Sequence, residues 1–161
     1  MSSRKTLSTV AAAAALLVCP ALAGAASAAP SSGHTDHLQQ RVDHYLAAHP
    51  GSHQISADKI AIRGGVLTLA PAHRSTATTA SPALSCASGH LCIQDGLGDV
   101  YDFYYCGYYD FDGVGDGTFN NNQTSGTVAK FYNSDGSLRW TNTAKDTGTA
   151  SWTPVYHIRP C

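Results

Sequence analysis

Four cysteines in the C-terminal half, Cys86, Cys92, Cys106 and Cys161, are the residues of this chain best suited to chemistry, and that chemistry is oxidative pairing. The apolar run Val10 to Val18 follows Arg4 and Lys5 and leads to Ala26-Ser27-Ala28, which reads as a secretory signal peptide over residues 1–28, cleaved after Ala28. A chain exported in this way meets an oxidising compartment, where cysteines pair. Four cysteines allow three pairings. Cys86 and Cys92 are near enough to close a local loop, which favours Cys86–Cys92 and leaves Cys106–Cys161 to tie down the C-terminus. That accounting leaves no thiol for catalysis. The chain has no Glu and no serine in a strand-turn-helix elbow, and His90 and His157 show no evident partner in sequence. No catalytic residue is assigned, and an enzyme is not expected.

The charges exclude one class of partner. With Arg4 and Lys5 removed, eleven Asp face eight basic residues. From Arg74 to Lys130 there is no Lys or Arg, while Asp95, Asp99, Asp102, Asp110, Asp112 and Asp116 all fall there. Phosphate neutralisation needs a basic surface, so nucleic acid is not an expected partner. A cationic partner, a calcium ion or a basic protein loop suits this stretch better, the plainer reading being a solvated acidic surface. Asp110-Phe111-Asp112-Gly113-Val114 has an EF-hand flavour, but Val114 stands where an oxygen ligand is required, so it is not one. His34, His37, His44, His49 and His53 read as solvated polar positions rather than a metal site. In the aromatic run Tyr101, Phe103, Tyr104, Tyr105, Tyr108, Tyr109 and Phe111, strand alternation sends some rings inward and leaves others as a surface for a peptide or glycan.

These residues need elements to position them. Leu38, Val42, Tyr45 and Leu46 recur at helical spacing between Thr35, a candidate N-cap, and the stop Pro50-Gly51, which predicts an amphipathic helix. Lys59 to Arg63 and Val66 to Leu69 flank Gly64-Gly65 and predict a hairpin. One helix and one hairpin in residues 29–70 bury little by themselves, so the region packs on the later domain, serves as a pro-region or stays partly disordered. Residues 71–85 are a Ser/Thr/Ala/Pro linker. From residue 86 to 161 short β-prone runs alternate with turns: Leu91 to Ile93, Val100 to Cys106, Thr127 to Tyr132, Leu138 to Trp140 and Val155 to Arg159. Asn133 to Gly136 supplies a hairpin turn. No helical period appears there, so the fold class is all-β, a small disulfide-braced sandwich or Greek-key barrel. After signal cleavage nothing is apolar enough to span a membrane. A soluble, secreted monomer is expected.

Cys86-Ala87-Ser88-Gly89-His90-Leu91-Cys92-Ile93, opening a secreted β region behind a linker, resembles the start of the actinobacterial secreted peptidase-inhibitor family typified by the Streptomyces metalloproteinase inhibitor, whose fold is a βγ-crystallin-like Greek key. Tyr105-Cys106-Gly107 resembles the aromatic corner of that fold. Asn120-Asn121-Asn122-Gln123-Thr124-Ser125 is similar to the calcium signature of βγ-crystallins. The resemblance covers residues 86–161. It implies an extracellular protease as partner, no required cofactor, and calcium as a ligand of Asn120, Asn121, Thr124 and Ser125 through hard oxygens. The family's type protein closes its reactive loop with a second short-range cysteine pair. Here Cys106 and Cys161 are far apart, so no reactive bond carries over. The candidate inhibitory loop is instead Ser88, Gly89 and His90, held by Cys86–Cys92, since a pre-ordered loop avoids the entropy loss of ordering on binding. The alternative expectation is a calcium-stabilised, non-inhibitory structural module that binds cell envelope or glycan.

Overall fold

The computed structural model describes residues 32–71 and 83–161. The signal peptide assigned to residues 1–28 and most of the linker lie outside these residues. No helix among them is long and apolar enough to cross a membrane.

Helix α1 runs Ser32–Ala48. It begins three residues before the expected N-cap Thr35, which therefore lies inside it; Gly33 is tolerated in the first turn although a helical glycine costs about 1 kcal/mol. The apolar stripe works as read: Val42 is fully buried, and Leu38, Tyr45 and Leu46 pack against the same core. Gly51, at φ 98°, turns the chain after the helix. Strands β1 (His53–Gln54), β2 (Lys59–Ile62) and β3 (Gly65–Thr68) come next. The β2–β3 turn is Arg63-Gly64 rather than Gly64-Gly65. Gly64 takes φ 87°, whereas Gly65 is already paired with Ile62. A Cβ on Gly65 would run into the carbonyl of Asp102 on the next strand, so its role is close approach rather than turning.

Strands β4 (Leu91–Gln94), β5 (Val100–Phe103), β6 (Tyr109–Asp110), β7 (Asp116–Asn121), β8 (Val128–Tyr132), β9 (Leu138–Thr143), β10 (Asp146–Ser151) and β11 (His157–Arg159) complete the chain. They form two antiparallel sheets, of order β1-β2-β3-β5-β4-β7-β10 and β6-β11-β8-β9. The all-β reading of residues 86–161 holds at this level. The N-terminal hairpin is not apart from it: β3 pairs with β5, with Leu67 opposite Tyr101 and Gly65 opposite Phe103. The described part of residues 29–70 thus packs on the later domain.

One core joins both sheets and the helix. Ile93 and Phe119 from the larger sheet, Phe131 and Ile158 from the smaller one, and Val42, Ile60 and Leu67 from the N-terminal elements belong to it. Trp152, fully buried, stands at its centre with its ring edge-on to Phe111 and Phe119, and its indole N–H donates to the Gln94 carbonyl at 3.1 Å. Gly117 leaves the space that this indole and the Gln94 carbonyl fill. Each such buried aromatic or aliphatic side chain contributes about 1.5–3 kcal/mol relative to exposure. Two disulfides close the structure, Cys86–Cys92 and Cys106–Cys161, with Cα separations of 5.6 and 5.1 Å that suit the bond. This is the favoured pairing of the three. Disulfides of this kind belong to an oxidising compartment.

Candidate functional site

Strand register places Cys92 of β4 between Asp102 of β5 and Asn120 of β7. Directly opposed residues of antiparallel strands point to the same face. The polar neighbours of Cys92 are therefore positioned to brace the loop that its disulfide closes. Asn120 Nδ2 donates to the Leu84 carbonyl at 2.9 Å, and Asn122 Nδ2 donates to the Cys86 carbonyl at 2.9 Å, holding the incoming arm. The returning arm is held by His90, whose Nδ1 lies 2.6 Å from Asp102 Oδ1 and whose carbonyl accepts from the Asn122 amide at 3.0 Å. At the tip, the His90 amide donates to the Ala87 carbonyl at 3.2 Å across a turn whose third residue, Gly89, has φ 88°. The Gly89 amide itself donates to the Asn122 carbonyl at 2.8 Å.

Ala87, Ser88 and Gly89 remain exposed on this frame. Beside them the His90 ring lies 5.2 Å from that of Tyr104, which lies 4.7 Å from that of Tyr105. Tyr105 is 64% exposed and Tyr104 40%, so two phenols flank the rigid tip. The aromatic run divides: Tyr101 and Phe103 enter the core from one face of β5, and Phe111 joins them from beyond β6, while Tyr104, Tyr105 and Tyr108, outside the strands, stay at the surface. Tyr108 forms a separate patch, 5.2 Å from the Tyr132 ring and 5.0 Å from the His157 ring.

His90 and His157 do have partners, contrary to the sequence reading. His90 meets Asp102, and His157 Nδ1 lies 3.0 Å from Asp110 Oδ1. An Nδ1-to-carboxylate contact is the arrangement that orients a general base. Among the described residues, however, no hydroxyl forms a hydrogen bond to the other nitrogen of either ring. The acidic stretch is likewise not a uniformly solvated surface. Asp99 pairs with Arg41 at 2.6 Å, Asp112 with His49 at 2.9 Å, and Asp95 accepts the amides of Leu97, Asp99 and Val114. His49 is accordingly a polar partner of Asp112 rather than a solvated position.

The four candidate calcium residues are dispersed in role. Asn120 is a strut for the loop. Asn121 is fully buried, its Nδ2 donating to Asn142 Oδ1 at 2.9 Å, and Thr124 and Ser125 sit exposed in the β7–β8 turn. Two buried oxygens in this run, Asn121 Oδ1 and Gln123 Oε1, have no hydrogen-bond partner among the described residues. Among the described residues, no group of three or more His, Cys, Asp or Glu side chains is placed to hold a metal ion. The sequence reading missed the brace itself: the asparagine run was a visible signal, but Asn120 was read as an ion ligand rather than as a strut, and Asn122 was assigned no role.

No family model, curated protein or solved structure matches this chain.

Proposed function

We propose that the protein is a secreted, peptidase-binding domain of the inhibitor-like kind, βγ-crystallin-like in topology, that engages an extracellular protease through Ala87 to His90. The observation that carries this reading is the immobilised tip: one disulfide, hydrogen bonds donated by Asn120 and Asn122, and the contact of His90 with the Asp102 carboxylate order it before any partner arrives. Binding through such a loop forfeits little conformational entropy. Tyr104 and Tyr105 add the amphipathic, low-entropy contact area that dominates protein interfaces. Ser88-Gly89 lies in a turn whose amides are already engaged, so it is a poor mimic of an extended substrate strand, and the bound loop should resist cleavage. The passage of successive strands between the two sheets supports the Greek-key part of the reading.

The test titrates the mature chain, residues 29–161, against a thermolysin-like metalloprotease and a subtilisin-like serine protease. Stoichiometric loss of activity with the chain intact is expected, together with a loss of affinity of about 30-fold in Tyr105→Ala, the scale of one interface hot spot. Full residual activity of both enzymes refutes it. A second reading, a calcium-braced binding module, is favoured by the unpartnered Asn121 Oδ1 and Gln123 Oε1. Both oxygens are hard donors of the type calcium takes. A melting temperature indifferent to millimolar calcium excludes that reading.

A further inference from the structure

A cavity of about 470 Å³ lies between helix α1, strands β3 and β5 and the β4–β5 turn. That volume falls in the range of small-molecule sites. Its residues share nothing with the loop at Cys86–Cys92.

Its walls combine apolar and ionisable side chains. Leu67 and Leu69, 1% and 4% exposed, supply apolar lining. Three carboxylates, Asp95, Asp99 and Asp112, line it together with His37, His44 and His49 and with one permanent cation, Arg41, which is taken by Asp99. The Asp95 pKa is raised, first by burial and further by the charge of Asp99, which fits an interior with surplus negative potential. Asp112 is held on one side by His49, but its side chain is 48% exposed. A carboxylate has about four lone-pair sites, so it keeps acceptor capacity for a ligand.

Two phenols complete the site. Tyr101 is 4% exposed, lines the cavity, and its hydroxyl has no hydrogen-bond partner among the described residues. Its ionisation is pushed up by burial first and then by Tyr45, Asp95, Asp112 and Asp99, which places that hydroxyl in the company of the cavity's own polar groups. Tyr45, pushed up by burial and by Asp112 and Asp110, stacks on His49 at 4.0 Å. Both phenols therefore stay protonated, offering π faces and oxygen acceptors to a cation.

We propose that this cavity binds a small organic cation, an alkylammonium whose charged head meets Asp112 and the free Tyr101 hydroxyl while its carbon chain lies on Leu67 and Leu69. An anion would meet the Asp112 carboxylate without a charge to pair with it. A neutral chain of equal length would gain the apolar contact without the ion pair.

The experiment uses the mature chain and three six-carbon probes: n-hexylamine, n-hexanol and hexanoate, read by calorimetry and by the shift in melting temperature. Saturable binding of hexylamine is expected, with hexanol at least about tenfold weaker, the value of one charge-assisted hydrogen bond, and no binding of hexanoate. Asp112→Asn should remove the preference for hexylamine over hexanol. Ala48→Phe, at an exposed position on the cavity rim, should block both without touching the core. Equal binding of the three probes, no saturable hexylamine binding at millimolar concentration, or hexylamine binding that survives Ala48→Phe overturns the proposal. Protease titration reads a different surface, so the two proposals fail separately.

Discussion

Leu67→Ala tests whether the N-terminal hairpin is structurally part of the disulfide-braced β region. Leu67 sits on β3, 1% exposed, with Ile60 opposite on β2 and Tyr101 opposite on β5. It shares one core with Trp152 and Phe131. Truncating a buried leucine to alanine loses the transfer free energy of the removed carbons and leaves a cavity, about 3 kcal/mol in such a site. With a urea slope of about 2 kcal/mol per molar, the midpoint should fall by about 1.5 M. The probe is unusually clean, since the chain has two tryptophans. Both, Trp140 and Trp152, belong to the C-terminal strands and loops, so tryptophan fluorescence reports on the β region alone. A single transition shifted by that amount, seen equally by fluorescence and by far-ultraviolet circular dichroism, is the expected result. An unshifted fluorescence transition would refute the reasoning, because it would mean that the region beyond residue 83 holds its fold without the hairpin.

Two further measurements bear on the same frame. Replacing Cys106 and Cys161 by Ser should destabilise by about 4 kcal/mol and replacing Cys86 and Cys92 by about 2, from loop closures spanning 55 and 6 residues; equal losses in denaturant titrations would contradict the chain-entropy account. Carboxyl NMR titration should place the Asp95 midpoint above the ordinary aspartate range, because burial outweighs its three amide donors, and that of Asp135 below it, because the Ser137 hydroxyl and amide favour its charged form. The signs of the two stability terms are then opposite. The raised group's contribution is present below its unfolded pKa and lost as pH rises through its folded one, while the lowered group's contribution is present above its unfolded pKa and lost as pH falls through its folded one. Midpoints displaced in the same direction would contradict that assignment.

The elements with a strong apolar period were legible. Helix α1 showed its stripe, and β4, β5, β8, β9 and β11 showed β-branched or aromatic runs, because burial on one face had selected those side chains. Strands β7 and β10 were hidden by composition. Asp116-Gly117-Thr118-Phe119-Asn120-Asn121 carries one large apolar residue, and Asp146 to Ser151 carries none, so neither resembles a strand under hydrophobic periodicity. Yet β7 lies inside the larger sheet between β4 and β10. Its glycine is there for the Trp152 indole, and Asn120, with Asn122 just past the strand, is there to hold the loop, roles that become visible only when the partners are in place.

The same cause hid the polar side-chain pairs. Arg41 meets Asp99 across 58 positions, His157 meets Asp110 across 47, and His90 meets Asp102 across 12. A stretch without Lys or Arg looks unneutralised when read along the chain, and the sheet order answers that only in three dimensions, by laying β3 against β5 and β11 against β6. Arg41 lies on α1, and His49, the partner of Asp112, stands just past its last residue. The helix and its end thus supply both apolar cover and counter-charge to the acidic stretch, and a chain cut before residue 83 would expose β5 as an edge strand and leave Asp99 and Asp112 without those partners. Asp99 is buried, and a buried carboxylate deprived of its partner is costly. The N-terminal region is on these grounds packed into the β fold, and a ligand of the cavity meets both, because α1 and β3 form one wall and β5 the other.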